Sequence, residues 1–527
     1  MKFHKITLIS FAVFFAAVSC VGDLDVKPID PSVTLPDEVL NSEQAYAQVL
    51  AKCYAGLTVS SSDGPDGSPD INGIDGGFGQ YMRALFYMNE LPTDEALMCW
   101  NDQTVANLHN LCWTSTDVFV TAMFSRIYFQ IQLCNEFIRR ASASEFAGSD
   151  NMKTYIAEAR ALRALSYYHA IDMFGNVPFA TEANSVGSTG PDRIAREDLF
   201  KWLDDECVAL IGEGHLKAAR SNVYGRLDVN FVKMVRAHLN LNATVYLGIS
   251  QTEAKPYYDV VGTLCKEIRA DYPALHAKYT DLFGADNDRM TDEIIFGVEQ
   301  DGTDIQTYGG SNFILKASCK GKDKVVAAAL GIDDGWGGVL VTPEFINSFD
   351  GNDTRKLFWG EGMRTDTPND IADFKDFTTG WSAHKFTNIN SDGSTPSVVN
   401  FVSTDVPLFR AADAYLMLAE AYLRGASTVS ETEARTVWNA VRARAGLGNV
   451  ADFTLDGILR ERGHELYWEC WRRSDLIRFD KLTTGDYLWA WKGGVKAGQK
   501  VDAKFNLMPI PASEANSNKK LTQNPGY

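Results

Sequence analysis

The segment His464-Glu465-Leu466-Tyr467-Trp468 is the nearest the sequence comes to a catalytic motif. A glutamate between two histidines four apart on a helix would bind zinc and activate water, but Trp468 stands where the second histidine belongs. No zinc-protease helix is present, nor a GxSxG elbow, a P-loop or an intact EF-hand loop. Beyond Cys20, the cysteines are Cys53, Cys99, Cys112, Cys134, Cys207, Cys265, Cys319 and Cys470. None forms a CxxC, and no histidine pair has zinc spacing. Several fall in helical patterns, where a free cysteine acts as a small buried apolar group. The remaining chemistry is aromatic. Trp100, Trp113, Tyr308, Trp336, Trp359 and Trp381 lie in or beside two stretches, 60–80 and 300–404, rich in Gly, Asp, Asn, Ser and Thr. Loops of that length are either disordered or functional, and disordered segments are poor in aromatics. These loops read as ordered and bearing a site.

Helices must hold such loops. In residues 154–181, Ala157, Ala161, Ala164, Tyr168 and Ile171 recur at helical spacing, with Arg160, Arg163 and His169 off that line. Thr154 is the expected N-cap, and Gly175 and Pro178 end the pattern. Alanines along one face let a second helix approach closely. Residues 231–248 and 409–425 are each an Ala/Leu-rich helix ending in a Tyr-Leu-(x)-Gly turn, and a second amphipathic helix follows each. Residues 116–140 pair naturally with 154–174, and 196–212 supplies another helix. This is the grammar of tetratricopeptide units of ~34 residues, whose helices stack because neither can bury its face alone. Residues 455–480 read as one long helix. Leu459, Gly463, Leu466 and Cys470 pack on one face, and a charge ladder, including Glu469–Arg473 at i,i+4, covers the other.

The chain of 527 residues has a net charge of −18, with 45% hydrophobic and 22% charged residues. Such an acidic body disfavours nucleic acid and anionic polymers. Lys2 and Lys5 precede the apolar run ITLISFAVFFAAV, which is short for a membrane span and ends at Ser19-Cys20. A cysteine directly after such a site reads as a lipobox, giving a signal peptide at 1–19 and a palmitate-bearing Cys20 at the mature N-terminus. Residues 20–40, rich in proline, form the tether, and 41–527 one domain. Within it the helical scaffold covers about 41–60, 116–272 and 405–482, and the ligand-binding loops about 61–115 and 273–404.

Motifs along the whole length carry a resemblance. They include GPDGSPDINGIDGGFGQYMR, NELPTDEA, EARALRALSYYHAIDMFGNVPF, ADNDRMTDEII, QDGTDIQTYGG, DVPLFRAADAYLMLAEAYLR, RERGHELYWECWRRSDLIRF, YLWAWKGG and PIPASEANSNKKLTQNPGY. In order and number these resemble the SusD/RagB family of outer-membrane glycan-binding lipoproteins, and its starch-binding members in particular. The resemblance implies a mainly α fold, with tetratricopeptide-like helix pairs packed with an irregular, loop-rich binding region. It also implies no catalysis, a cell-surface location, and carbohydrate uptake with a TonB-dependent, SusC-like transporter as partner.

Residue by residue, the resemblance implies a glycan platform of Trp100, Tyr308 and Trp336, with polar contacts from Asp75, Arg83 and Gln103. Flat rings match the apolar C–H faces of sugars at low entropic cost, while polar neighbours read the hydroxyls. Gln103 stands where the family pattern has Asn, and Met98 where it has another Trp. A structural calcium at Asp288 and Asp405 is also implied, although Ser403 replaces a carboxylate there; otherwise these acids cap turns. No cofactor is required. Three other readings stay open: a binding protein for a different glycan, a glycoside hydrolase, which needs two carboxylates flanking a bound sugar, and a tetratricopeptide-type protein-docking module.

Overall fold

The structure, a computed structural model, describes residues 40–184, 190–320 and 324–527. The signal peptide, Cys20 and nearly all of the tether lie outside the described residues. The chain divides after Gln48. The described part of the first unit, residues 40–48, contains the start of helix α1 (Glu43–Ala55). Everything below concerns the second unit.

Its scaffold is a succession of helices, each packed on the next. Helix α2 (Tyr81–Asn89) leads into α3 (Val118–Ala143), α4 (Asp150–Phe174), α5 (Arg196–Glu213), α6 (Val229–Leu241) and α7 (Lys255–Asp271). A long excursion, residues 272–410, carries helix α8 (Gly310–Ser318). The scaffold then resumes with α9 (Ala411–Leu423), α10 (Glu431–Arg444), α11 (Leu455–Leu466) and α12 (Arg472–Arg478). Helix α9 packs directly against α7, so the stack closes across the excursion. The antiparallel pairing of β2 (Ile294–Val298) with β4 (Val406–Arg410) clasps the excursion's two ends.

The expected helix pairs are present, with shifted ends. Helix α4 begins five residues' worth of turn earlier than its pattern suggests because Ser149, not Thr154, is the N-cap and accepts from the Met152 amide at 3.2 Å. The Thr154 hydroxyl instead donates to the carbonyls of Asp150 and His215. Gly175 ends the helix at φ +70°, a conformation that suits a residue without Cβ. Ala157, Ala161 and Ala164 are buried as expected, but so are Arg163 and His169. A helix at the middle of a stack is covered on every side, so its polar residues find partners: Arg163 meets Asn135 at 2.8 Å, and His169 Nδ1 meets the Tyr81 hydroxyl at 2.8 Å.

The single helix expected over 455–480 is two. The break at Tyr467–Trp471 holds Trp468 and Cys470 at φ +64° and +70°. Left-handed backbone in non-glycine residues costs about 1–3 kcal/mol, and it persists where the surroundings over-determine it. Here Asn89 donates to the Cys470 carbonyl at 3.0 Å, Cys470 N donates to Glu90 at 2.5 Å, and the Trp468 indole donates to the Glu95 carbonyl at 2.9 Å. The motif NELPTDEA is thus the bracket that fixes this break. The Glu469–Arg473 pair does not form. Glu469 binds Arg410 at 2.7 Å and Lys385 at 2.5 Å, and Arg473 binds Asp172 at 3.2 Å.

Apart from exposed Arg460, the charge ladder faces inward. Glu465 pairs with Arg410 at 2.9 Å and Arg355 at 3.2 Å, and also with Arg444. Burial raises its carboxyl, but these three guanidinium groups outweigh burial and hold it at about 2. His464 stacks on Phe349 with centroids 3.9 Å apart and is held neutral by burial and by nearby arginines, Arg355 first. The HELYW segment is therefore an ion-pair knot in the core. The eight described cysteines are unbridged, and all but Cys112 are buried.

Candidate functional site

Four segments far apart in sequence converge on one face. Helix α8 is the spine, and each of its residues is buried. Tyr308 stands just before its N-terminus. Near its C-terminus, the Lys316 carbonyl accepts from the amides of Trp336 (2.7 Å) and Gly337 (3.0 Å). Two aromatic residues 28 positions apart in number are thereby placed at neighbouring points by one helix. Trp100 arrives on strand β1 (Leu97–Met98), which pairs with β3 (Val339–Leu340) immediately after the Trp336 loop. Its indole donates to the Gly337 carbonyl at 2.9 Å.

The three rings stand in a row. Trp336 lies 6.3 Å from Trp100 and 6.2 Å from Tyr308, and successive rings are turned by 54° and 53°. All three are half-buried, so each shows an edge or face to solvent. Rings so inclined cannot share one plane. A flat ribbon could stack on one of them, whereas a curved chain can follow the row.

Arg83, only 7% exposed, binds the walls together from helix α2. Its guanidinium donates to the Tyr308 carbonyl at 3.0 Å, to the Gly77 carbonyl, and to the Tyr87 hydroxyl at 3.1–3.2 Å. Its Cζ lies 4.5 Å from the Phe313 ring centroid, 5.5 Å from Trp100 and 6.0 Å from Trp336. A cation over several ring faces, in a poorly hydrated setting, fixes their mutual orientation. Asp75 is exposed; its Oδ1 accepts from the Gly77 amide at 2.6 Å, forming the turn that presents the Gly77 carbonyl to Arg83.

Asp75, Arg83, Gln103, Tyr308 and Trp336 line one cavity of about 520 Å³, with Trp100 beside it. Gln103 is exposed, with φ at +40°, an uncommon conformation for a residue with a Cβ. Met98 is 1% exposed, within β1, and takes no part in the rim. Sequence reasoning missed Phe78, Tyr87, Asn101, Asp102 and Phe119, which complete the lining. Asp66, whose Oδ1 accepts from the Tyr308 hydroxyl at 3.0 Å, was also missed. Burial and the Asp66 carboxylate raise the Tyr308 phenol's pKa, so the hydroxyl stays a donor. Asn101 and Asp102 adjoin Trp100 in sequence, and that adjacency was the available signal. Of the other loop tryptophans, Trp113 and Trp381 are core residues, and Trp359 stacks on His384 at 3.5 Å.

Asp288 and Asp405 line a different cavity, of about 370 Å³, together with Glu299, Asp301 and Ser403. Asp405 spends Oδ2 on the Tyr224 hydroxyl (2.6 Å) and Oδ1 on the Gln300 amide (2.7 Å). Burial, with Glu299 and Asp288 nearby, pushes its carboxyl up to about 7 against those two hydrogen bonds. Among the described residues, no three carboxylate, histidine or cysteine side chains converge as a metal's ligands would.

The geometry can bind and orient a ligand with apolar faces and hydroxyl edges. The SusD family profile matches residues 359–527. The starch-binding protein SusD of Bacteroides thetaiotaomicron is 32% identical over 97% of this chain and 96% of its own. Among solved structures, the surface glycan-binding protein A from Bacteroides uniformis superposes with a TM-score of 0.71 at 21% identity, covering 92% of this chain and 99% of that one. Its counterpart from Bacteroides thetaiotaomicron, solved with laminarihexaose, gives 0.69 at 21% identity, covering 91% and 99%. A tetratricopeptide-like helical stack that offers a row of loop-borne aromatics, matched end to end by a starch-binding relative, places the chain in the SusD family of non-catalytic glycan-binding proteins.

Proposed function

We propose that this protein captures starch or a related α-glucan at the cell surface and delivers it to a TonB-dependent, SusC-like transporter of the outer membrane. The observation that carries the glycan class is the inclined row Trp100–Trp336–Tyr308, with its 54° and 53° turns. A helical α-glucan exposes a curved succession of apolar sugar faces, which such a row can follow. The name of the 32% identical relative supports the same class. Asp75, Gln103, Asn101 and Asp102 supply the polar rim for hydroxyls. Anchoring follows from the lipobox: Cys20 carries the lipid, and the proline-rich tether holds the binding domain at the membrane surface. Release into a transporter favours moderate affinity over very tight binding.

Affinity gel electrophoresis against amylopectin, laminarin and a flat β-glucan tests the glycan class. Retention is expected on amylopectin and should fall greatly in Trp336→Ala, since one aromatic anchor is worth ~2 kcal/mol or more by analogy with protein interfaces. Retention on another polymer alone, lost in Trp336→Ala, keeps the platform and overturns the α-glucan assignment. Cys20→Ala should abolish incorporation of a palmitate analogue, and gentle detergent extraction should co-purify a large β-barrel.

A further inference from the structure

Phe377 is 40% exposed and is the one aromatic among the described exposed large hydrophobic residues. It approaches Gly338, as the Trp100 indole does: a Cβ added at Gly338 would collide with Trp100 and lie 3.0 Å from Phe377 Cε1. Gly338 has φ +101°, so the backbone itself also demands glycine. The missing side chain is what lets the two rings come up to the same point. An exposed phenylalanine is costly in water, and its loop is nonetheless held firmly. Asp376 Oδ1 accepts from the amide and hydroxyl of Thr378, at 2.8 and 2.7 Å. Lys320 Nζ donates to the carbonyls of Thr379 (2.9 Å) and Gly380, and the Cys99 thiol approaches the Asp376 carbonyl at 3.9 Å. Cys99 adjoins Trp100, so this contact ties the Phe377 loop to the Trp100 strand.

The other end of the row is different. Tyr308 abuts Phe401 at 5.4 Å, but Phe401 is 8% exposed, and the Tyr308 hydroxyl is tied to Asp66. Among the described residues, the exposed aromatic near the row is Phe377, on the Trp100 side.

We propose that Phe377 forms an outer subsite that stacks one further sugar of a long glucan, beyond the units seated on Trp100, Trp336 and Tyr308. This rests on the α-glucan reading above and adds a preference for chain length. A short oligosaccharide fills the three-ring row and never reaches Phe377. A longer one gains a further apolar contact.

Titration calorimetry with maltotriose and maltoheptaose tests this on the soluble domain and its Phe377→Ala, Phe377→Trp and Trp336→Ala variants. Phe377→Ala should weaken maltoheptaose about tenfold, leave maltotriose unchanged and melt as wild type does, because the ring is largely exposed. Phe377→Trp should restore the preference for the longer chain. If Phe377→Ala binds both sugars as wild type does while Trp336→Ala loses both, the subsite is wrong and the α-glucan reading stands. Equal weakening for both sugars would make Phe377 a prop for Trp100, which also overturns the subsite. If wild type binds neither sugar, the α-glucan reading falls and the subsite falls with it.

Discussion

Arg83 donates to the main-chain carbonyl of Tyr308 at 3.0 Å, across 225 residues of sequence. One buried guanidinium therefore sets the distance between the α2 wall of the cavity and the aromatic row. Its planar fork, already committed to Gly77, Tyr308 and Tyr87, positions the rings as much as it faces any ligand.

Replacing Arg83 by Met should reduce glucan affinity by at least tenfold and lower the melting temperature. Arg83→Lys should not restore binding, because an ammonium cannot reproduce the fork. Normal gel retention by folded Arg83→Met would remove Arg83 from the site.

Trp438 supplies the contrast to Trp336. It is fully buried on α10, with its indole donating to Glu461 at 3.1 Å. Trp438→Ala should cost about 3–5 kcal/mol of stability, with binding retained in the folded fraction. Thermal melting and calorimetry on the same sample separate the two effects.

Ala164 is buried in α4, against which α3 and α5 pack. Ala164→Phe should overpack the stack and destabilise it by about 1–3 kcal/mol. An unchanged denaturation midpoint would show that this face has room.

The buried histidines should make the fold sensitive to acid. Burial depresses His169 from 6.5 to about 4, with His238 adding to the effect and Asp172 opposing it; burial likewise depresses His384 to about 3. Between pH 6.5 and 4 these imidazoles take up protons in the unfolded chain and refuse them in the folded one, so their contribution to stability falls as pH falls. His169→Asn, which keeps an acceptor for the Tyr81 hydroxyl, should show a shallower decline of melting temperature across that window.

Calcium should leave the melting temperature unchanged, since among the described residues no three carboxylate, histidine or cysteine side chains converge in the cavity of Asp288 and Asp405. A rise of several degrees with millimolar calcium, lost in Asp288→Ala, would instead make the acidic cavity an ion site.

The scaffold was readable in the sequence because a stacked helix must repeat small and apolar residues every three to four positions. The runs around Ala157–Ile171 and 409–425 could form little else. Glycine 175 could likewise be read as a terminus. The break at Tyr467–Trp471 could not, since the helical pattern runs straight through it. Only Asn89, Glu90 and Glu95, brought in from 380 or so residues away, hold Trp468 and Cys470 in left-handed backbone. Local propensity knows nothing of partners that distant. The fate of the charges follows the same logic. Whether Glu465 is a catalyst, a surface charge or a buried ion-pair partner depends on Arg355, Arg410 and Arg444, which only tertiary packing assembles. The site divides in the same way. Its rings were named from the resemblance, residue by residue, because a loop aromatic carries no periodic signal of its own. That Trp113 and Trp381 are core, that Trp100, Trp336 and Tyr308 stand in one inclined row, and that Phe377 comes up to the same glycine as Trp100 were decided by α8, the β1–β3 pairing and the bare Cα of Gly338.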